Sequence, residues 1–214
     1  MNRISLQQTL PNVFLERTDI HSDIWKQDVV FEKGHVYLVE ADSGTGKSSL
    51  CSYIYGYRKD YQGAVCFDDK NVRDLKINDW VEIRKKSFSI LFQELRLFSE
   101  LSALENIEIK NNLTKFKTHE EIISLFERFG IGDKLDQKCG KLSFGQQQRV
   151  GFIRSLCQPF DFVFLDEPIS HLDETNSQLM GGLLMEEVER QGAGVICTSI
   201  GKHIELNYEK TFRL

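Results

Sequence analysis

The sequence predicts an α/β fold, a mostly parallel sheet flanked by helices with a further helical segment inserted into it. Three observations carry that expectation. Short apolar runs bounded by turn residues, VYLV at 36–39, FSILF at 88–92 and FVFL at 162–165, read as buried strands. Segments with apolar residues at helical intervals alternate with them, as a parallel sheet covered on both faces requires. One run, VYLV, leads directly into a glycine-rich loop and then a helix, an order that carries chemistry of its own.

Taken along the chain, residues 29–31 and 35–40 read as two strands joined by a turn at Lys33-Gly34. Residues 48–57 keep helical spacing and are expected to close on Gly56. AVCF after Gly63 reads as a strand, residues 79–86 as a helix and 88–92 as the next strand. From 101 to 140 the character changes: ALENIEI, HEEIISLFERFG and KLDQK lack strand signals and space their apolar residues helically. The expected organisation is one domain over 1–214, with a core of 1–93 and 142–214 and a helical insertion at 94–141. Residues 143–157 read as a helix entered through a polar loop. FVFL ends on two carboxylates, Asp166 and Glu167; 175–190 is an amphipathic helix, AGVICTSI a final buried strand, and the tail YEKTFRL alternates.

An apolar share of 41% beside a charged share of 28% gives the chain a real core and excludes a disordered one. The net charge of −5 provides no overall field toward DNA, RNA or anionic lipid. The densest basic run, Arg84-Lys85-Lys86, reads as a solvated helix face. The cysteines (Cys51, Cys66, Cys139, Cys157 and Cys197) form no C-x-x-C pair and read as reduced thiols, most of them in apolar surroundings. With no leader-like start and no apolar run near the roughly 18 residues that span a bilayer, a cytosolic protein is expected, tied to a membrane only through a partner.

EADSGTGKSS, from Glu40 to Ser49, looks built to hold phosphates. Ser43, Gly44, Thr45 and Gly46 would present backbone N–H groups at a helix N-terminus. Lys47 adds a charge reaching the terminal phosphates, and the Ser48 hydroxyl would join a Mg²⁺ ion. The usual first glycine is Ala41. Positive φ there would cost about 1–2 kcal/mol, whereas extended backbone would make the alanine nearly free.

Further motifs follow in a telling order. LSFGQQQRVGFIRSL resembles the LSGGQ signature of ATP-binding-cassette (ABC) ATPases, FSILFQELRLF their Q-loop, FVFLDEP their Walker B strand and SHLD their D-loop. The resemblance covers nearly the whole chain. It implies a P-loop NTPase core with an antiparallel N-terminal β portion, binding ATP with Mg²⁺. By resemblance, residues Ala41, Asp42, Ser43, Gly44, Thr45, Gly46, Lys47, Ser48 and Ser49 hold the nucleotide of one subunit. Ser143, Phe144, Gly145 and Gln146 meet the nucleotide of the opposite one, and Asp173 helps close the pair. Ser48, Gln93 and Asp166 would attend the metal, and Glu167 would be the general base.

Departures from the family pattern are also visible. Phe144 stands for the signature's first glycine, a change a backbone donor tolerates if φ is negative. The switch histidine after the last core strand is replaced by Ser199, which cannot carry positive charge; loss of one such contact commonly costs about 10²–10³ in rate. His203 could reach back if a helix began there. The adenine-stacking residue is open between His21 and Trp25. The resemblance implies a second cassette, as homo- or heterodimer, and a separate transmembrane permease docking near Leu95, Leu97, Phe98 and Leu101. It is closest to small export, lipoprotein-release or mechanotransmission subunits. An alternative is a slow, ATP-gated regulatory partner.

Overall fold

The computed structural model describes residues 1–169 and 172–214. The chain runs β1 (Arg3–Pro11), β2 (Asp28–Glu32), β3 (Val36–Glu40), α1 (Lys47–Ile54), β4 (Tyr61–Phe67), β5 (Lys70–Asn71), α2 (Ile77–Lys86) and β6 (Phe88–Leu91). It continues through α3 (Ala103–Asn111), α4 (His119–Arg128), α5 (Phe144–Leu156), β7 (Phe162–Asp166), α6 (Glu174–Gln191), β8 (Gly194–Ser199) and β9 (Lys210–Arg213). The strands sort into an antiparallel sheet ordered β2-β1-β4-β5 and a second sheet ordered β6-β7-β8-β3-β9, whose neighbours all pair in parallel.

The two strands expected to share a turn at Lys33-Gly34 therefore belong to different sheets. β2 alternates buried and exposed residues, as a strand with one wet face does, whereas β3 is buried along nearly its whole length. Gly34, at φ 86°, redirects the chain between them. The helix expected over 48–57 stops at Ile54. Gly56, at φ 74°, lies past its end, and a Cβ there would strike the Trp80 ring at 2.3 Å.

β7 shows how the central sheet divides the core. Phe162 and Phe164 point into a cluster shared with α1 and the antiparallel sheet. Val163 and Leu165 point the other way, into a cluster with Ile107, Phe126, Val150 and Leu184 from α3, α4, α5 and α6. This period of two makes a fully buried strand hydrophobic throughout. Helices α3 and α4 begin with reciprocal caps, Ser102 with Glu105 and Thr118 with Glu121. A buried ion pair, Lys117 Nζ to Glu187 Oε2 at 2.6 Å, ties the connection between them to α6. Among the described residues no helix is long and apolar enough to cross a membrane, and all five cysteines are buried and free.

Candidate functional site

The loop after β3 turns on two glycines, Gly44 at φ 84° and Gly46 at φ 102°, conformations that side chains resist. Gly46 is fixed by contact as well: a Cβ there would lie 3.0 Å from both Phe14 Cε2 and Trp25 Cζ2. Trp25 is buried, and its indole N–H donates to the Thr45 carbonyl at 2.8 Å. It is a floor for the loop rather than an exposed ring on which a base could stack. Thr45 Oγ1 donates to the Asp42 carbonyl at 2.9 Å, closing the loop on itself. Ala41 does not have positive φ, so the missing glycine carries no strain. Its N–H donates to the Ser199 carbonyl at 3.0 Å, joining the loop to the end of β8.

Lys47 opens α1 and Ser48 follows it, exposed. The Lys47 ammonium bonds Asp166 Oδ1 at 3.0 Å and also donates to Glu167 Oε1. Burial works against its charge, but the Glu167 and Asp166 carboxylates outweigh that and raise its pKa above the usual lysine value. Asp166 is held from the other side by Thr198 Oγ1 at 2.7 Å. Gln93, just past β6, donates from Nε2 to Glu167 Oε2 at 3.1 Å. The fold thus brings Lys47, Gln93, Asp166 and Glu167 together at the carboxyl ends of parallel strands, where open α/β sheets place their ligands.

Two stretches here are held in unusual backbone geometry. Glu167 has φ 48°, and its N–H donates to the Thr198 carbonyl at 3.2 Å. Leu95 and Arg96 have φ 57° and 51°, and the Arg154 guanidinium of α5 donates to both of their carbonyls. Non-glycine residues in this region cost of order 1–3 kcal/mol each and cluster at functional sites. Gln148 of α5 also donates to the Pro168 carbonyl. One helix is therefore tied both to the turn after Gln93 and to the turn after Glu167.

Ser143 caps α5 through reciprocal bonds with Gln146: its Oγ accepts from the Gln146 N–H at 3.3 Å, and its N–H donates to Gln146 Oε1 at 2.9 Å. Phe144 is helical and half exposed, so its side chain displaces nothing in the cap. Asp173 caps α6, accepting from the Asn176 N–H at 2.8 Å; Ser170 and His171 of the SHLD stretch lie outside the described residues. Ser199 is fully buried, and its hydroxyl donates to the Lys202 carbonyl at 2.5 Å. No helix starts at His203, whose ring packs edge-on to Tyr208 at 5.5 Å. His21 is exposed and lines a 240 Å³ pocket with Phe14, Arg17, Asp42 and Thr45.

Sequence reasoning passed over Thr198, Trp25 as a loop support, and Phe14. The pairing register could have exposed the first, because Thr198 lies directly opposite Asp166. Phe14 lies in a segment whose local sequence pattern signals neither strand nor helix.

A glycine-rich loop between a buried strand and a helix, its lysine set against acids ending the neighbouring strand, defines a P-loop NTPase. A family model for the ABC transporter matches residues 26–170, and the chain belongs to that family. The macrolide export ATP-binding/permease protein MacB of Shewanella sp. (strain ANA-3) is 28% identical over 185 residues, which is 85% of this chain and 28% of that protein. This chain thus spans little more than a quarter of such relatives. The lipoprotein-releasing system ATP-binding protein LolD of Buchnera aphidicola subsp. Schizaphis graminum is 28% identical over 189 residues, covering 86% of this chain and 82% of its own. The dimeric structure of the bacterial ABC transporter cassette MJ0796 superposes with a TM-score of 0.77 at 24% identity, over 92% of this chain and 87% of that one. The chain is an ABC nucleotide-binding cassette of the LolD/MacB type.

Proposed function

We propose that two cassettes close around two ATP molecules, hydrolyse them, and drive a separate membrane subunit from the cytoplasmic side. The convergence of Lys47, Gln93, Asp166 and Glu167 on one loop carries this reading. The phosphates rest on the N–H groups of residues 43–49. Lys47 turns from Glu167 toward them, which releases that carboxylate for its own task. Glu167 then takes the proton of the attacking water as its oxygen bonds the γ-phosphorus and the bond to the bridging oxygen breaks. Gln93 keeps the carboxylate aimed.

Ser48, Asp166 and Gln93 offer hydroxyl, carboxylate and amide oxygens, the hard donors that Mg²⁺ takes, and they would hold it. When bound, that ion neutralises charge on the phosphates. The adenine lies in the pocket beside Thr45, against Phe14 and the Arg17 guanidinium that sits 4.4 Å over its ring. Residues 94–141 act as the helical subdomain that carries the permease contact. Within its first segment Leu95 is buried and Leu97 and Leu101 are half-buried, so Phe98 presents the main apolar surface. The names of the LolD and MacB relatives suggest release or export as the work performed, with the membrane spans on another chain or domain.

The steady-state ATPase rate of the wild type against Glu167→Gln tests this. The wild type should turn over measurably and the variant should not, while ATP-dependent dimers accumulate in the variant. Equal rates would overturn the reading. One observation favours a slower cassette acting beside a more competent partner: the Ser199 hydroxyl is buried and engaged with Lys202. Ser199→His should raise the rate if that position limits it.

A further inference from the structure

Gln93 donates to Glu167 at 3.1 Å, and each of the two lies beside a turn that α5 holds. The turn after Gln93 is the more unusual. Leu95 and Arg96 both have positive φ, 57° and 51°, a region that residues with side chains enter singly rather than in succession. Inside the turn the Leu95 N–H donates to the Phe92 carbonyl at 2.9 Å, and the Arg96 N–H to the Glu94 carbonyl at 2.5 Å. Neither position is a glycine, so the conformation needs support from outside the turn.

Arg154 gives that support. Its Nη1 donates to the Arg96 carbonyl at 2.7 Å and its Nη2 to the Leu95 carbonyl. Two N–H groups of one planar fork thus meet two successive carbonyls, a match that an ammonium cannot copy. Burial pushes the Arg154 pKa below the usual arginine value, and no carboxylate stands beside it among the described residues. Its charge is spent on the turn, in bonds stronger than those of a neutral donor. Gln148, Gly151 and Arg154 follow at intervals of three and share one face of α5. A Cβ at Gly151 would lie 3.4 Å from both Leu91 Cδ1 and Leu95 Cδ2, so the helix packs closely on the same turn. Gln148 donates to the Pro168 carbonyl, one residue past Glu167. One helix face therefore sets both ends of the Gln93–Glu167 contact.

We infer that Arg154 is a positioning residue for hydrolysis: by clamping the backbone of Leu95 and Arg96 it fixes where the Gln93 amide meets Glu167. The inference rests on reading Glu167 as the base, and it adds the residue that aims the base's partner. Arg154 bonds to neither Gln93 nor Glu167 and acts through the turn between them. The turn is no part of the loop at 41–49, so losing the clamp alters the chemical step and not nucleotide affinity. A displacement of about 1 Å in such a group can cost about 10²-fold in rate.

Steady-state ATPase rates of Arg154→Lys, Gln93→Ala and the double variant test this. Arg154→Lys keeps the charge and loses the fork; kcat should fall about tenfold or more, with KM for ATP within about twofold of wild type. Over Gln93→Ala the same substitution should cost less than about twofold, because the side chain it aims is already gone. A purely structural arginine would lower both rates alike. A second pair, Arg96→Gly against Arg96→Val, leaves α5 untouched. Both lose the same exposed side chain, yet glycine accepts φ 51° and a β-branched residue resists it. Arg96→Val should therefore turn over several-fold more slowly than Arg96→Gly, and this pair decides the matter where nucleotide titration shows Arg154→Lys to be unfolded. An unchanged kcat in Arg154→Lys, a rise in KM alone, equal losses with and without Gln93, or equal rates for Arg96→Gly and Arg96→Val would overturn the inference. A wild-type rate no higher than that of Glu167→Gln would overturn the hydrolytic reading and this inference with it. A rate that needs Glu167 but not Arg154 overturns this inference alone.

Discussion

Gly46, Ala41 and Lys110 show what single positions decide here. Gly46 combines φ 102° with ring contacts at 3.0 Å, so Gly46→Ala sets backbone strain and steric overlap against the same loop. Equilibrium denaturation should show a loss of about 1–3 kcal/mol, and nucleotide titration a clear drop in affinity. Ala41→Gly should leave nucleotide affinity within about twofold, because the alanine is unstrained and its N–H faces Ser199. The sequence left that alternative open, since residue type alone does not report φ. Lys110 gives a pH-dependent case. Its folded pKa is lowered to about 8 from 10.5, so below about 8 both states are protonated and the full burial penalty weakens the fold. Between those values the unfolded chain binds more protons, and stability contributed by this site rises with pH. Lys110→Met should therefore stabilise the protein at pH 7, and denaturation curves at pH 9.5 should show a smaller gain. The meeting of Lys47, Gln93, Asp166 and Glu167 was legible because each belongs to a motif. Thr198, Trp25 and Phe14 were not, because their roles depend on what another segment brings to them.

β1 is the strand whose local pattern departs furthest from its structure. RISLQQTLP lacks clean alternation because the register of β1 shifts between Gln7 and Leu10, with Gln8 at φ 48°. A bulge of this kind hides a strand from a period-of-two reading. β2 and β3 were legible as strands but not as members of different sheets, because sheet membership is settled by tertiary pairing. The helices from 103 to 128 followed their caps and spacing. Their attachment to α6 was not visible: Lys117 and Glu187 are 70 residues apart and both buried. Lys117→Met alone leaves Glu187 with Arg190, at 2.7 Å, as its remaining cation and should destabilise by about 1–3 kcal/mol in urea denaturation. Lys117→Met with Glu187→Met should recover most of that loss, because two uncharged side chains of similar volume need no desolvated charge between them. Equal destabilisation by the single and double variants would show that the pair acts through packing.

For the molecule as a whole, the proposed pairing of two cassettes means that one chain does not make a complete site. The loop at 41–49 and the acids at 166–167 lie together at the end of the central sheet, and Ser143 and Gln146 cap the start of α5, where Ser143 is exposed. In a two-fold pair each chain would lend its α5 cap to the other's loop, so that every site draws on both chains. That reading yields a prediction no single-chain site shares. Glu167→Gln removes the base from a chain but leaves its α5 cap intact. Ser143→Arg blocks the cap but leaves the base intact. Each variant alone forms only defective sites and should hydrolyse ATP at background. Mixed in equal amounts, about half of the pairs contain one chain of each kind, and in these one site inherits both lesions while the other inherits none. Activity should return to about a quarter of the wild-type value when the two sites work independently. The ATPase rate of the mixture, followed across mixing ratios, should peak at equal amounts. A mixture as inactive as its components would show that each chain relies on its own cap, or that one intact site cannot turn over beside a defective one. Repeating the mixture with the two lesions in one chain and wild type as the other separates these outcomes, because every mixed pair then has each site carrying a single lesion and only cis-acting caps would leave one site whole.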